Sequence, residues 1–206
     1  SCFPHYMVTS NVVELIVNHI TKLGGYQLHT LRRAPGQSNW TESNIPSNVA
    51  VGQLWCKAAV DGNTVHVIAI TTLVSLAGSV YQGVDGHLLY YRSKDGGLTW
   101  DVTDGIIPGI DQTAFAQLSA DNYCIDARDG IVAVGVFDSW NDALVVKSTD
   151  GGDSWDTPYL LLDFPLDKYV IDQGYTTSDL GGAVPNALDP LAIFTSAGSA
   201  FIVVDP

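Results

Sequence analysis

The sequence predicts an all-β fold made of repeated four-stranded antiparallel units. Three observations predict it. Glycine is frequent (20 residues) while lysine and arginine total only 9 and methionine occurs once. Valine, isoleucine, threonine, tyrosine and tryptophan recur in short runs, the composition of strands broken by tight turns. Two segments also match almost letter for letter. Ser93-Lys94-Asp95-Gly96-Gly97-Leu98-Thr99-Trp100 and Ser148-Thr149-Asp150-Gly151-Gly152-Asp153-Ser154-Trp155 both read S-x-D-G-G-x-[ST]-W.

The repeat organises the chain. A degenerate copy, Ala34-Pro35-Gly36-Gln37-Ser38-Asn39-Trp40, precedes the first full one. Upstream of each copy lies a pair of short apolar strands joined by a tight turn. These pairs begin at Tyr6, Cys56 and Cys124, and a further pair begins at Ala192. Two of the turns contain Asp61-Gly62 or Asp129-Gly130, residue types that accept positive φ. A third strand follows (YQLHTLR, HLLYYRS or ALVVKST), then the Gly-Gly turn, then a short fourth strand near the tryptophan.

Four antiparallel strands in some 50 to 70 residues have the length and form of a propeller blade. The expected blades span residues 5–45, 50–105, 118–165 and 189–206, the last stopping after its second strand. Propellers close with about four to eight blades, and a truncated sheet leaves a raw edge. The expectation is therefore a single partial-propeller domain. The rest of the ring would come from the same polypeptide or from a partner chain.

Composition limits the function. Hydrophobic residues make up 46% and charged residues 15%, enough for a core. A net charge of −13 repels phosphate backbones and anionic lipid, so no nucleic-acid partner is expected. No apolar run is long enough for a membrane helix, and no membrane insertion is expected. Three cysteines cannot all pair within one chain; Cys2 sits at the start, and Cys56 and Cys124, inside apolar runs, are expected to be small buried hydrophobes. Neither they nor His5, His19, His29, His66 and His87 have metal-ligand spacing, so no metal site or cofactor is expected. No G-x-S-x-G elbow or P-loop is present.

The S-x-D-G-G-x-[ST]-W segments resemble the Asp-box, or BNR repeat. That motif occurs in sialidases, sortilin-like receptors, some glycoside hydrolases and a photosystem assembly factor. The resemblance implies a secreted, sialidase-like β-propeller of bacterial type. It also implies that Ser93, Asp95, Gly97, Trp100, Ser148, Asp150, Gly152 and Trp155 are structural, on the face opposite the ligand site. Serine and aspartate would bond the turn's own backbone, with glycines in left-handed φ and tryptophan covering the hairpin. A direct ligand role, or a structural calcium ion at the box, is the lesser reading.

Ligand-binding candidates therefore lie in the opposite loops. Those joining strands two and three are 71–86, with Tyr81 and Asp85, and 138–142, with Asp138, Trp140 and Asp142. The inter-blade loops are 103–121 and the long 163–189, which holds Tyr175. Aromatic rings with nearby carboxylates suit sugars, which stack and hydrogen-bond. Packing over the blades is the plainer reading of the same loops.

Two functions follow. The first is a non-catalytic extracellular or cell-surface module that binds a glycan or protein ligand or serves as scaffold. The alternative is a sialidase-like or other glycoside hydrolase. The resemblance implies, for a sialidase, an arginine cluster on the substrate carboxylate. Only Arg32, Arg33, Arg92 and Arg128 are present, and their positions in the repeat point to the box end. Glu14 and Glu42 are the only glutamates, and too many aspartates remain to single out a catalytic pair.

Overall fold

The computed structural model describes residues 4–22, 25–112, 115, 117–120, 122–138, 141–162 and 202–204. The tight turns fix the first strand pair of each sheet. Asp129 (φ 52°) and Gly130 (φ 81°) are both left-handed, so strand β9 (Tyr123–Arg128) returns directly as β10 (Ile131–Asp138). In the preceding repeat Gly62 (φ 58°) turns β5 (Gln53–Asp61) into β6 (Thr64–Thr71). Asp61 does not adopt positive φ. It pairs with Thr64, and its carboxylate instead accepts the N–H groups of Asp129 (3.1 Å) and Gly130 (2.7 Å) in the next sheet.

Each sheet completes itself with two more strands. The first holds β1 (His5–Val8), β2 (Glu14–Lys22), β3 (Gly25–Arg33) and β4 (Thr41–Asn44). The second adds β7 (Leu88–Ser93) and β8 (Val102–Gly105) to β5 and β6, and the third adds β11 (Asn141–Ser148) and β12 (Tyr159–Leu162). All three sheets are four-stranded and antiparallel, in simple sequence order. The fold is all-β: three consecutive blades of a partial propeller, with β1, β5 and β9 in contact in succession. The strand pairs expected at 56–70 and 124–138 are these β5–β6 and β9–β10 hairpins. Of the fourth expected blade, only residues 202–204 are among the described residues.

Packing follows from strand alternation. Met7, Leu15, Val17 and Leu28 of blade one meet Val65, Val67, Leu89 and Tyr91 of blade two. The opposite face of blade two presents Ile68, Ile70, Leu88 and Tyr90 to Tyr123, Val134, Val136 and Val146 of blade three. Blade two is therefore apolar on both faces, as β6 shows: seven of its eight residues are buried. Each fully buried aliphatic or aromatic side chain contributes about 2 kcal/mol. The repeat tryptophans occupy equivalent places. Trp100 packs on the blade one–two core, and Trp155 meets Tyr90 of blade two edge-on at 5.1 Å. Trp155 thus covers the joint between blades as well as its own hairpin.

Candidate functional site

The two ends of the blades differ in chemistry. At one end lie the Gly-Gly turns and the β5–β6 and β9–β10 turns, joined by the Gly96 N–H to Asn63 carbonyl and Gly151 N–H to Gly130 carbonyl bonds. The Ser93 hydroxyl donates to Asp95 at 2.8 Å and accepts the Gly97 N–H at 2.8 Å. Asp95 further accepts the N–H groups of Leu98 (3.0 Å) and Thr99 (2.8 Å) and the Thr99 hydroxyl (2.6 Å). Ser148, Asp150, Gly152 and Ser154 repeat the pattern. Hydrogen bonds from Ser154 and Ser148 hold the Asp150 carboxyl well below the usual carboxylate range. Both aspartates direct their hydrogen bonds into their own turn.

The opposite end carries an open cleft of about 290 Å³ between the start of β3 and the connection from β4 to β5. Tyr26, Gln27, Asn44, Ser47, Val49 and Gln53 line it. Its geometry begins with Ile45, which is buried in the blade one–two core and donates its N–H to the Leu28 carbonyl at 3.0 Å. Gly52 lets β5 start against β3, because a Cβ there would overlap the Tyr26 backbone. Behind the cleft, the Tyr26 ring meets His19 edge-on at 6.0 Å, and His19 Nδ1 accepts the Trp55 N–H at 3.3 Å. That bond places the ring proton on Nε2, and burial lowers the His19 pKa, so the imidazole is neutral at pH 7.

One residue outside the cleft fixes its wall. Asp104, in β8 at φ 54°, accepts the Ser47 hydroxyl (2.6 Å), the Asn48 N–H (2.7 Å) and the Tyr91 hydroxyl (2.8 Å). Ser47 in turn accepts the Gln53 side-chain N–H at 2.9 Å. A non-glycine residue in this conformation is held there by its surroundings. The cleft is thus a ready-made depression with amide, hydroxyl and aromatic groups and, among the described residues, no carboxylate in its lining.

The residues singled out from sequence fall in several places. Tyr81 packs on the blade one–two core and meets His87 edge-on at 5.6 Å. Asp85 is engaged: it accepts the Val74 N–H (2.9 Å) and the Gln117 amide (3.0 Å), tying the 71–86 loop to the 103–121 loop. Asp138 pairs with Asn141 across the β10–β11 hairpin and Asp142 follows in β11, at the loop end of blade three. Trp140 and Tyr175 lie outside the described residues, as does the 163–189 loop. The structure does not bring Tyr81 or Asp85 into the cleft lining. The cleft connection, 45–52, is shorter than the 71–86, 103–121 and 163–189 loops to which length points. Its sequence signal is a Pro46-Ser47-Asn48 turn with Gly52 before a strand.

The arginines face elsewhere. Arg32 donates to the Gly96 carbonyl at 2.9 Å and Arg92 to the Gly151 carbonyl at 2.8 Å, both at the turn end. Arg33 pairs with Glu14, and Arg128 lies beside Asp129 at 3.7 Å. Among the described residues no group of three or more His, Cys, Asp or Glu is placed to hold a metal ion, and no helix is long and apolar enough to cross a membrane.

No protein-family model matches the sequence, and no curated protein matches it. Among solved structures, the chain is similar to the NanB sialidase of Streptococcus pneumoniae (TM-score 0.48, 18% identity, 80% of this chain and 24% of that one). It is similar to the sialidase of Trypanosoma rangeli (TM-score 0.48, 12% identity, 74% and 29%). It is also similar to the catalytic domain of a Coprinopsis cinerea GH62 α-L-arabinofuranosidase (TM-score 0.45, 9% identity, 76% and 49%). The chain spans about a quarter to a half of the length of these proteins. The likeness is distant, and the blade assignment rests on this chain's own strand pairing.

Proposed function

We propose that this chain is a non-catalytic extracellular binding module that takes an uncharged glycan at the blade one–two cleft. The observation that carries the reading is the cleft's preset wall. Asp104 holds Ser47 and Asn48 in place before any ligand arrives. Preset polar groups reduce the ordering cost of binding. Amide and hydroxyl groups match sugar hydroxyls, and Tyr26 supplies a ring for stacking. A sialic acid would need a cation for its carboxylate, and among the described residues the cleft lining contains none. The loop-end candidates Asp138, Trp140, Asp142, Tyr81, Asp85 and Tyr175 would belong to the surrounding face, with further blades completing the ring.

A glycan array followed by calorimetry tests the reading. Neutral oligosaccharides should bind, and Gln53→Ala should weaken them by about tenfold through its lost hydrogen bonds. Binding confined to sialosides, or turnover of a fluorogenic glycoside panel, would overturn it in favour of the hydrolase alternative.

A further inference from the structure

His19 stands behind the cleft, in contact with both of its walls. Its ring packs edge-on against Tyr26, which lies near the start of β3 and lines one wall. Its Nδ1 accepts the Trp55 N–H at 3.3 Å, two residues beyond Gln53 on the other wall. Tyr26 and Trp55 pack on the same core, and His19 itself is 5% exposed.

Trp55 is the part of this arrangement with a second conformation to relax into. The β5–β6 register shifts between Leu54 and Lys57, so Trp55 and Cys56 together face Ala69. This is a β-bulge, and Trp55 takes its left-handed position at φ 46°, a place suited to glycine. Its backbone is held on both sides. His19 takes the N–H, and the Tyr123 hydroxyl donates to the carbonyl. A non-glycine residue keeps such a conformation only while its surroundings enforce it.

A proton on Nδ1 removes one of the two restraints. Both nitrogens of an imidazolium are donors, so an Nδ1–H would face the Trp55 N–H. On β3 the titratable group against the ring is Tyr26. On β5 the first charged residue is Lys57, whose ammonium lies 5.5 Å from the centre of the Tyr123 ring. On β2 itself Asn18 accepts the His19 backbone N–H, and Lys22 ends the strand. The acids of the adjoining strands are engaged elsewhere: Glu14 by Arg33, Glu42 beside His29, and Asp61 by the Asp129 and Gly130 N–H groups. Burial, without a carboxylate to offset it, lowers the His19 pKa from 6.5. The bond is therefore complete above pH 6.5 and is lost as the pH falls through the lowered folded value.

We propose that His19 is a proton-sensitive strut for the cleft: neutral, it holds the Tyr26 and Gln53 walls in place; protonated, it releases the Trp55 bulge and loosens both. Loss of glycan affinity in mild acid follows, and that consequence rests on the cleft being the binding site. The loosening itself does not.

Nuclear magnetic resonance of the ligand-free chain from about pH 7.5 to 4.5, a range spanning the ordinary histidine pKa, tests the strut apart from glycan binding. The Trp55 amide and the Tyr26 ring should shift with the midpoint of the His19 ring. The Trp55 amide should also lose protection against hydrogen exchange by about tenfold, while the β6 amides keep theirs. His19→Asn retains an acceptor near the Nδ1 position and does not titrate, so its Trp55 amide should stay constant over the range. If that variant does not fold, the wild-type midpoints decide the question. A His19 ring that titrates without moving Trp55 or Tyr26, one that stays neutral throughout, or a Trp55 response that survives in His19→Asn would each overturn the proposal. So would a loss of protection shared by β6, or a glycan bound equally well at both ends of the range. Absence of glycan binding at every pH would count against the binding reading alone.

Discussion

The Arg92 guanidinium spans two blades: it bonds Asp101 in its own blade and donates to the Gly151 carbonyl and pairs with Asp153 in the next. Its side chain is only 4% exposed. Burial opposes the charge, and the hydrogen bonds that the guanidinium donates to Asp101 and Asp153 outweigh that, so its pKa is raised. Arg32 makes the shorter version of the link, a single bond to Gly96.

Arg92→Met should destabilise the chain by about 2 kcal/mol, because it removes charge-assisted hydrogen bonds that tie Asp101 in its own blade to the Gly151 carbonyl in the next. Arg32→Met should cost about 1 kcal/mol, the scale of one hydrogen bond. Urea denaturation of the two variants checks the ranking. Equal losses would contradict the account of Arg92 as the tighter joint.

The two glycines of one turn should respond differently. At Gly151 a Cβ meets nothing within 4 Å, so Gly151→Ala carries only the left-handed strain at φ 68°, about 1 kcal/mol. At Gly152 a Cβ would overlap the Tyr90 hydroxyl, so Gly152→Ala should cost about 3 kcal/mol or more. Thermal melts of the pair would show the difference, and similar melting temperatures would refute it.

Stability should fall on mild acidification. Burial lowers the His66 pKa to about 4, with Arg92 adding to the effect; its Nδ1 lies 2.7 Å from the Tyr90 hydroxyl and its buried Nε2 has no partner among the described residues. The unfolded chain binds the proton near pH 6.5 and the folded chain near 4. Stability is therefore complete above pH 6.5 and falls between 6.5 and 4 by about 3 kcal/mol from this residue. His5, His19 and His87, also lowered chiefly by burial, act in the same direction. His66→Gln should flatten the decline between pH 6.5 and 4.5 relative to wild type; an unchanged slope would remove His66 from this role.

Asp104→Ala should loosen the cleft without unfolding the blades. The Asn48 amide loses its acceptor, so its hydrogen exchange should accelerate by about tenfold or more while that of the β6 amides stays slow. Uniform acceleration across both regions would mean that Asp104 supports the whole fold and not the cleft wall.

Much of the fold was legible because its determinants are local. The Ser-x-Asp-Gly-Gly turns bond to themselves, so residues 93–99 and 148–154 specify their shape without outside help. The β9–β10 hairpin is set by two residues at its tip. The cleft was not legible, because its determinants are distant in sequence. Asp104 acts on Ser47 and Asn48 from more than fifty positions away, and nothing in either segment names the other.

The sequence by itself determined the strands, the turns and the all-β class, since alternation and turn chemistry act over a few residues. Only tertiary structure decided that Arg32 and Arg92 join blades and that Asp85 braces two loops. It also decided that the preset cleft belongs to a short connection. Those outcomes depend on which backbone carbonyls and carboxylates the stacking of blades brings within about 3 Å, a distance that periodicity does not encode.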